Sequence, residues 1–236
     1  MPPLLIRLLK LLIVFLLPLA LVGSAVRLLV TAPYLTFEYG KADFPPDPYG
    51  FDQAQRLTYA SANFEYVRQS QPIEALANQQ LDGSPLYNER ELNHMQDVQN
   101  VYQSVWRLWQ IALVLILLAA IALARRAETR DGLAAAIQWG GLLAAALVAV
   151  VGLLAVVAWR LWFVAFHQIF FAAGTWTFNY SDTLIRLFPE KFWFDAAMTL
   201  SGLTLIGGLL AALIGWLWRE GVRAASTHIQ PSTPLP

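Results

Sequence analysis

Long apolar runs alternate along the chain with polar stretches of quite different character. A helix needs roughly 17–25 predominantly apolar residues to cross a bilayer. The runs at 1–31, 107–124, 133–159 and 196–218 meet that length and predict four transmembrane helices. Arg7 and Lys10 ahead of the Leu-rich first run also fit a signal peptide, with Gly23, Ser24 and Ala25 as small-residue cleavage positions. The run continues to Val30, longer than a usual signal core, which favours an uncleaved span. The second run has no Gly or Pro between it and the polar stretch beginning at Asn88, so one helix is expected to pass from water into the membrane. Asn88 and Glu91 have the capping-box spacing that starts such a helix.

The intervening segments predict what the spans carry. Between 32 and 106, Ala42–Gly50 (ADFPPDPYG) is too rich in Pro to be helical and reads as an extended strap. Leu57, Ala60, Phe64 and Val67 then recur at helical spacing, predicting an amphipathic helix over 52–69 ended by Pro72. A short helix around Ile73–Ala77 and a turn at Asp82-Gly83-Ser84-Pro85 follow. The segment 160–195 carries twelve aromatic residues from Trp162 to Phe194 and reads as an interfacial loop with a short helix over Asp182–Leu187, capped by Ser181. The expected fold is therefore an all-α membrane protein, with four transmembrane helices, a small, mainly helical extracytoplasmic cap (32–106) and the aromatic loop (160–195). A loop (125–132) and a tail (219–236) complete the other side.

Charge supplies the orientation. Arg7 and Lys10, then Arg125, Arg126 and Arg130, then Arg219 and Arg223 fall on one side, which the positive-inside rule assigns to the cytoplasm with both termini. The region 32–106 carries ten acids against four bases, although the whole chain is neutral. Composition agrees: 57% hydrophobic residues, 14% charged and a mean hydropathy of +0.49. No basic patch suits nucleic acid, and no cysteine is present for a disulfide, a thiol nucleophile or a thiolate metal site.

Candidate chemistry concentrates on histidine. His94 and Asp97 are three residues apart on the polar start of the second membrane helix, hence on one face of it. His167 lies in the aromatic segment with Asn179 and Asp182 as further polar side chains. The third histidine, His228, falls in a Pro- and Thr-containing tail expected to be disordered. Each residue also has an ordinary reading: His94 and Asp97 as a solvated pair, His167 as a belt residue at the interface. Their joint placement at one membrane surface favours chemistry. Arg27, a turn below the outer end of the first span, is either functional or snorkelling. Glu38 just past it reads as an acid, a partner to Arg27 or a solvated charge, and Tyr102 as a hydrogen-bonding or interfacial tyrosine. Gly140, Gly141, Ala144, Ala145 and Gly152 are expected to let spans pack closely.

Three stretches in order, FPPDPYGFDQAQRLTYA, NERELNHMQDV and FHQIFFAAGTWTFNYSDTLIRLFPEKFW, are similar to the bacterial integral membrane family that includes the lipoprotein intramolecular transacylase. The resemblance covers Pro45 to Asp195. It implies an enzyme of the bacterial plasma membrane acting at the outer surface on a diacylated lipoprotein. The glyceryl 2-position acyl chain passes to the N-terminal cysteine amine, giving the lyso form. The family's HM-x-DV and FH-x-x-FF histidines match His94 and His167, which are implied as the catalytic groups.

Residue chemistry is compatible with that reaction. Histidine titrates near working pH, Asp97 can orient His94, and His167 can act as a second acid–base group or an oxyanion donor. The attacking amine belongs to the substrate, so neither a covalent nucleophile nor a cofactor is expected. Arg27, Glu38, Tyr102, Asn179 and Asp182 are the candidate substrate-binding residues, and membrane lipids the surrounding partners. Two alternatives differ in class. One is a metal-dependent hydrolase using His94, Asp97 and His167, and the other a non-catalytic lipid-binding scaffold. Oligomeric state is not legible.

Overall fold

A computed structural model of the chain describes residues 1–227. His228 and the rest of the expected tail lie outside the described residues. In chain order the helices are α1 (Pro3–Leu29), α2 (Ala32–Tyr39), α3 (Gln53–Gln69) and α4 (Glu74–Ala77), then α5 (Glu89–Ala124), α6 (Ala127–Val157), α7 (Trp159–Phe170), α8 (Thr183–Leu187) and α9 (Glu190–Thr227). Between α4 and α5 lie two short strands, β1 (Gln80–Leu81) and β2 (Ser84–Pro85). Four helices, α1, α5, α6 and α9, are long and apolar enough to cross a membrane. This is an all-α membrane protein, with four such helices among the described residues.

The chain divides into two compact units. The first comprises Met1–Val22, Trp109–Val150 and the chain from Gly202 onward. Its core includes Ile13, Ala119, Leu123, Leu133 and Ala136, with Leu9, Leu12 and Ile137 packed against them. Helix backbones approach closely here because small residues leave no side chain between them. A Cβ on Gly141 would stand 2.4 Å from the Gly208 carbonyl oxygen and 2.6 Å from the Ala212 nitrogen, and one on Gly208 2.7 Å from the Gly141 oxygen. In lipid, such close packing replaces the hydrophobic effect as the force between helices. Gly141→Val should therefore lower stability by about 1–3 kcal/mol through overpacking against backbone that cannot yield. Thermal unfolding in detergent checks this; an unchanged midpoint would refute the close approach.

The second unit comprises Gly23–Leu108 and Val151–Ser201. Its core gathers Leu35, Tyr66, Leu76, Leu187 and Phe192, all essentially buried. Capping sets its helix starts. Thr31 accepts a hydrogen bond from the Tyr34 amide at the head of α2. Asp52 and Gln55 form a reciprocal box at the head of α3. Asn88 and Glu91 do the same at the head of α5, at 2.9 and 3.0 Å. Side chains of α5 donate to the backbone around the end of α3: Gln99 Nε2 to Tyr66 O and Gln71 O, and Gln103 Nε2 to Val67 O.

The structure departs from the sequence reading in six places. Helix α2 was not expected, although Thr31 before Ala-Pro is an N-terminal signal. The Asp82-Gly83 turn closes a two-stranded antiparallel hairpin, with Gln80 opposite Pro85. Both turn residues have positive φ, 52° and 77°, as a type I′ turn requires. The strap is not extended throughout, because Phe44 N bonds Lys41 O and Asp47 accepts from the Phe51 amide. The aromatic segment opens as helix α7, where a loop was expected. Finally, the N-cap position of α8 is Asp182, one residue beyond the expected Ser181, and α9 runs from Glu190 to Thr227, taking in 190–195 of the expected loop and 219–227 of the expected tail.

Candidate functional site: two histidines in an aromatic cluster

Helix α5 presents His94 one turn after its capping box, at a position fixed by Glu91. This carboxylate is buried. It accepts from the Asn88 amide with one oxygen and, at 2.7 Å, from the Leu184 amide of α8 with the other. Beside it, Arg90 pairs with Asp182 at 3.1 Å, and Thr183 Oγ1 donates to Leu86 O. The heads of α5 and α8 are thereby locked together. The chain between α7 and α8 consequently lies against the first turns of α5, and His94 packs on Phe171 (4.9 Å between centroids) and Phe178 (5.3 Å).

Helix α7 brings His167 to the same cluster. Its ring lies 5.6 Å from Phe171, 4.1 Å from Phe163 and 4.8 Å from Trp176. Phe171 is thus in contact with both imidazoles. His167 Nδ1 lies 2.7 Å from the Phe163 carbonyl oxygen. A carbonyl can only accept, so Nδ1 carries the proton and Nε2 holds the lone pair of the neutral ring. Burial pushes the His167 imidazolium below the ordinary histidine range, partly offset by that hydrogen bond. Burial therefore favours the neutral ring over the imidazolium. On the other helix, His94 Nδ1 is buried without a hydrogen-bond partner among the described residues.

Among the remaining sequence candidates, Arg27 and Tyr102 meet. Arg27 Nη1 donates to Tyr102 Oη at 3.0 Å, and its guanidinium lies 4.1 Å from the Trp106 ring centroid. Glu38 is not their partner, nor is it solvated. It is fully buried and pairs with Lys41 at 2.7 Å, and Lys41 also reaches Asp195 at 3.0 Å. Burial raises the Glu38 carboxyl above its usual range, against the pull of Lys41. Asp97 makes no hydrogen bond to His94 among the described residues; the imidazole turns instead into the ring cluster, so no geometry supports an orienting carboxylate. Asp182 is occupied by Arg90 and by the Asn179 amide at 2.8 Å, while the Asn179 residue is exposed. Trp176, Phe171 and Phe178 as neighbours of histidine, and Lys41 as the partner of Glu38, had no local signal beyond aromatic richness.

The sequence matches the family model of the lipoprotein intramolecular transacylase Lit over residues 11–193. This chain belongs to that family. Membership places it among the acyltransferases and its substrates among the lipoproteins. An uncharacterised protein of Aquifex aeolicus (strain VF5) is 27% identical over 219 residues, covering 91% of this chain and 96% of that protein. Among solved structures, the chain is similar to the in meso structure of the membrane integral lipoprotein intramolecular transacylase Lit from Bacillus cereus. There the TM-score is 0.77 with 18% identity, over 93% of this chain and 98% of that one. A variant of the same Bacillus cereus protein with a histidine-to-arginine change gives 0.71 over 93% and 94%. At this identity the likeness shows the family's membrane fold, in keeping with a multi-pass membrane protein.

Proposed function

We propose that this protein moves the ester-linked acyl chain at the glyceryl 2-position of a diacylated lipoprotein onto the amine of its N-terminal cysteine, leaving the lyso form. His94 and His167 act as the acid–base pair. The observation that carries this is the meeting of the two imidazoles on Phe171, from helices far apart in the chain. The amine nitrogen attacks the ester carbonyl carbon, a C–N bond forms and the carbonyl oxygen takes negative charge. The ester C–O bond then breaks, and the glyceryl oxygen leaves with a proton. One proton thus passes from nitrogen to glyceryl oxygen: a neutral imidazole of the pair takes it up on its lone pair, and the imidazolium so formed gives it to the leaving oxygen, so the pair ends as it began. The lone pair on His167 Nε2 and the unpartnered Nδ1 of His94 are the available positions.

Burial among rings supports such transfer by excluding competing water. Arg27 and Tyr102 remain the candidates for a polar part of the substrate, and Asn179 retains a free side chain for it. Glu38 is paired with Lys41 and Asp182 with Arg90, and both leave the proposed binding set. We place the site at the outer face of the bacterial plasma membrane, with both termini cytoplasmic, on the distribution of Lys and Arg. The metal-dependent alternative requires three convergent ligands, and no such group of His, Cys, Asp or Glu occurs among the described residues.

Expression in a bacterium lacking N-acylation enzymes tests the reaction. Mass spectrometry of lipoprotein N-terminal peptides is expected to find one amide-linked and one ester-linked chain. Unchanged diacyl peptides, with the protein present in the membrane, would overturn the proposal.

A further inference from the structure

The reaction above needs more than two proton carriers. When the amine adds to the ester, negative charge develops on the carbonyl oxygen, and in a water-poor site a fixed donor must meet it. Both imidazoles are occupied with protons in transit. One further polar group belongs to the cluster: Trp176 Nε1, a buried donor without a hydrogen-bond partner among the described residues. Indole can donate and cannot accept, and a buried N–H left unpaired costs free energy that native proteins rarely tolerate without a reason. Its ring packs on His167 at 4.8 Å, and ring contacts continue from His167 to Phe171 and on to His94.

We infer that Trp176 is a further catalytic residue, whose indole N–H donates to the ester carbonyl oxygen as it becomes an oxyanion. This rests on the transacylase reading and adds the donor which that reading lacks. The carbonyl of the neutral ester is a weak acceptor and the oxyanion a strong one, so the bond strengthens as the reaction proceeds. Contact with the His167 ring suits the role, because a donor held before reaction needs no reorganisation during it. Tryptophan at this position would accordingly be selected for its N–H, and the aromatic face alone would not suffice.

Trp176→Phe keeps an aromatic ring and removes the donor. In wild-type protein, purified in detergent with a synthetic diacylated lipopeptide, turnover to the amide-linked lyso form is expected, together with a measurable Kd for the same lipopeptide with its N-terminal amine blocked as the unreactive substrate. The variant is expected to lose about 10²-fold in kcat, the scale seen when one oxyanion donor is removed, with the substrate Kd unchanged. A variant with wild-type kcat would overturn the assignment. So would parallel loss of kcat and substrate binding, since that marks packing as the role. Absence of lyso product from wild-type protein would instead overturn the transacylase reading, and this inference with it.

Discussion

His94→Asn is expected to reduce acyl transfer by about 10²- to 10⁴-fold, the range that a positioned acid–base group contributes. Asparagine keeps a polar side chain of moderate size, yet has no nitrogen that can take up and release a proton near neutral pH. His94 sits between Phe171 and Phe178, so a smaller side chain leaves some space, and a modest drop in melting temperature is expected besides. Substrate affinity should be nearly preserved, because the imidazole's task lies in the proton steps. Asp97→Asn is the informative companion. If the carboxylate oriented the imidazole, the two variants would fail together. The absence of a hydrogen bond between them among the described residues leads us to expect near wild-type turnover from Asp97→Asn. A His94→Asn protein that still forms amide-linked product at the wild-type rate would remove histidine from the mechanism and leave the scaffold reading.

The largest stability effect is expected from Arg186→Met. Arg186 in α8 reaches across to the strap, where its Nη2 lies 2.9 Å from Asp47 Oδ2 and its Nε 3.2 Å from the same oxygen. The guanidinium also covers the Phe51 ring at 3.6 Å and donates to Tyr49 O. The Asp47 side chain is fully buried. Removing the cation leaves that carboxylate without its partner, a change that costs about 3–5 kcal/mol where both charges are buried. Pairing the change with Asp47→Leu should recover part of the loss, since no buried charge then remains. Thermal unfolding in detergent reads both.

The pH dependence has a defined sign. Burial would raise the Asp47 carboxyl, but Arg186 and the amides of Phe51 and Tyr49 outweigh it and hold the group below its usual range. A carboxylate whose folded-state value is depressed contributes stability above its unfolded value, about 3.9, and loses it as pH falls through the folded value. The advantage of wild-type protein over Arg186→Met should therefore be full near neutrality and shrink below about pH 4. An advantage independent of pH would show that packing over Phe51, not the ion pair, supports the strap.

Much of this molecule is written in short-range pattern. The four long helices follow from apolar run length, and the heads of α3 and α5 from Asp52 with Gln55 and Asn88 with Glu91, because a cap acts within one turn of its own helix. The family was legible from three stretches of residues. Other local signals were present yet insufficient: Thr31 did not disclose α2, and Asp82-Gly83 read as a turn without its strands, since two residues on each side are too few to show alternation. What only tertiary structure decided is who meets whom. Glu91 reaches Leu184, Glu38 finds Lys41 and not Arg27, Arg186 covers Asp47, and His94 meets His167 through Phe171 while Asp97 beside it stays apart. Hydropathy and capping depend on neighbours a few residues away, whereas these contacts join segments widely separated along the chain. Their partners are chosen by packing and by the cost of leaving a buried charge or donor unpaired, which no local pattern encodes.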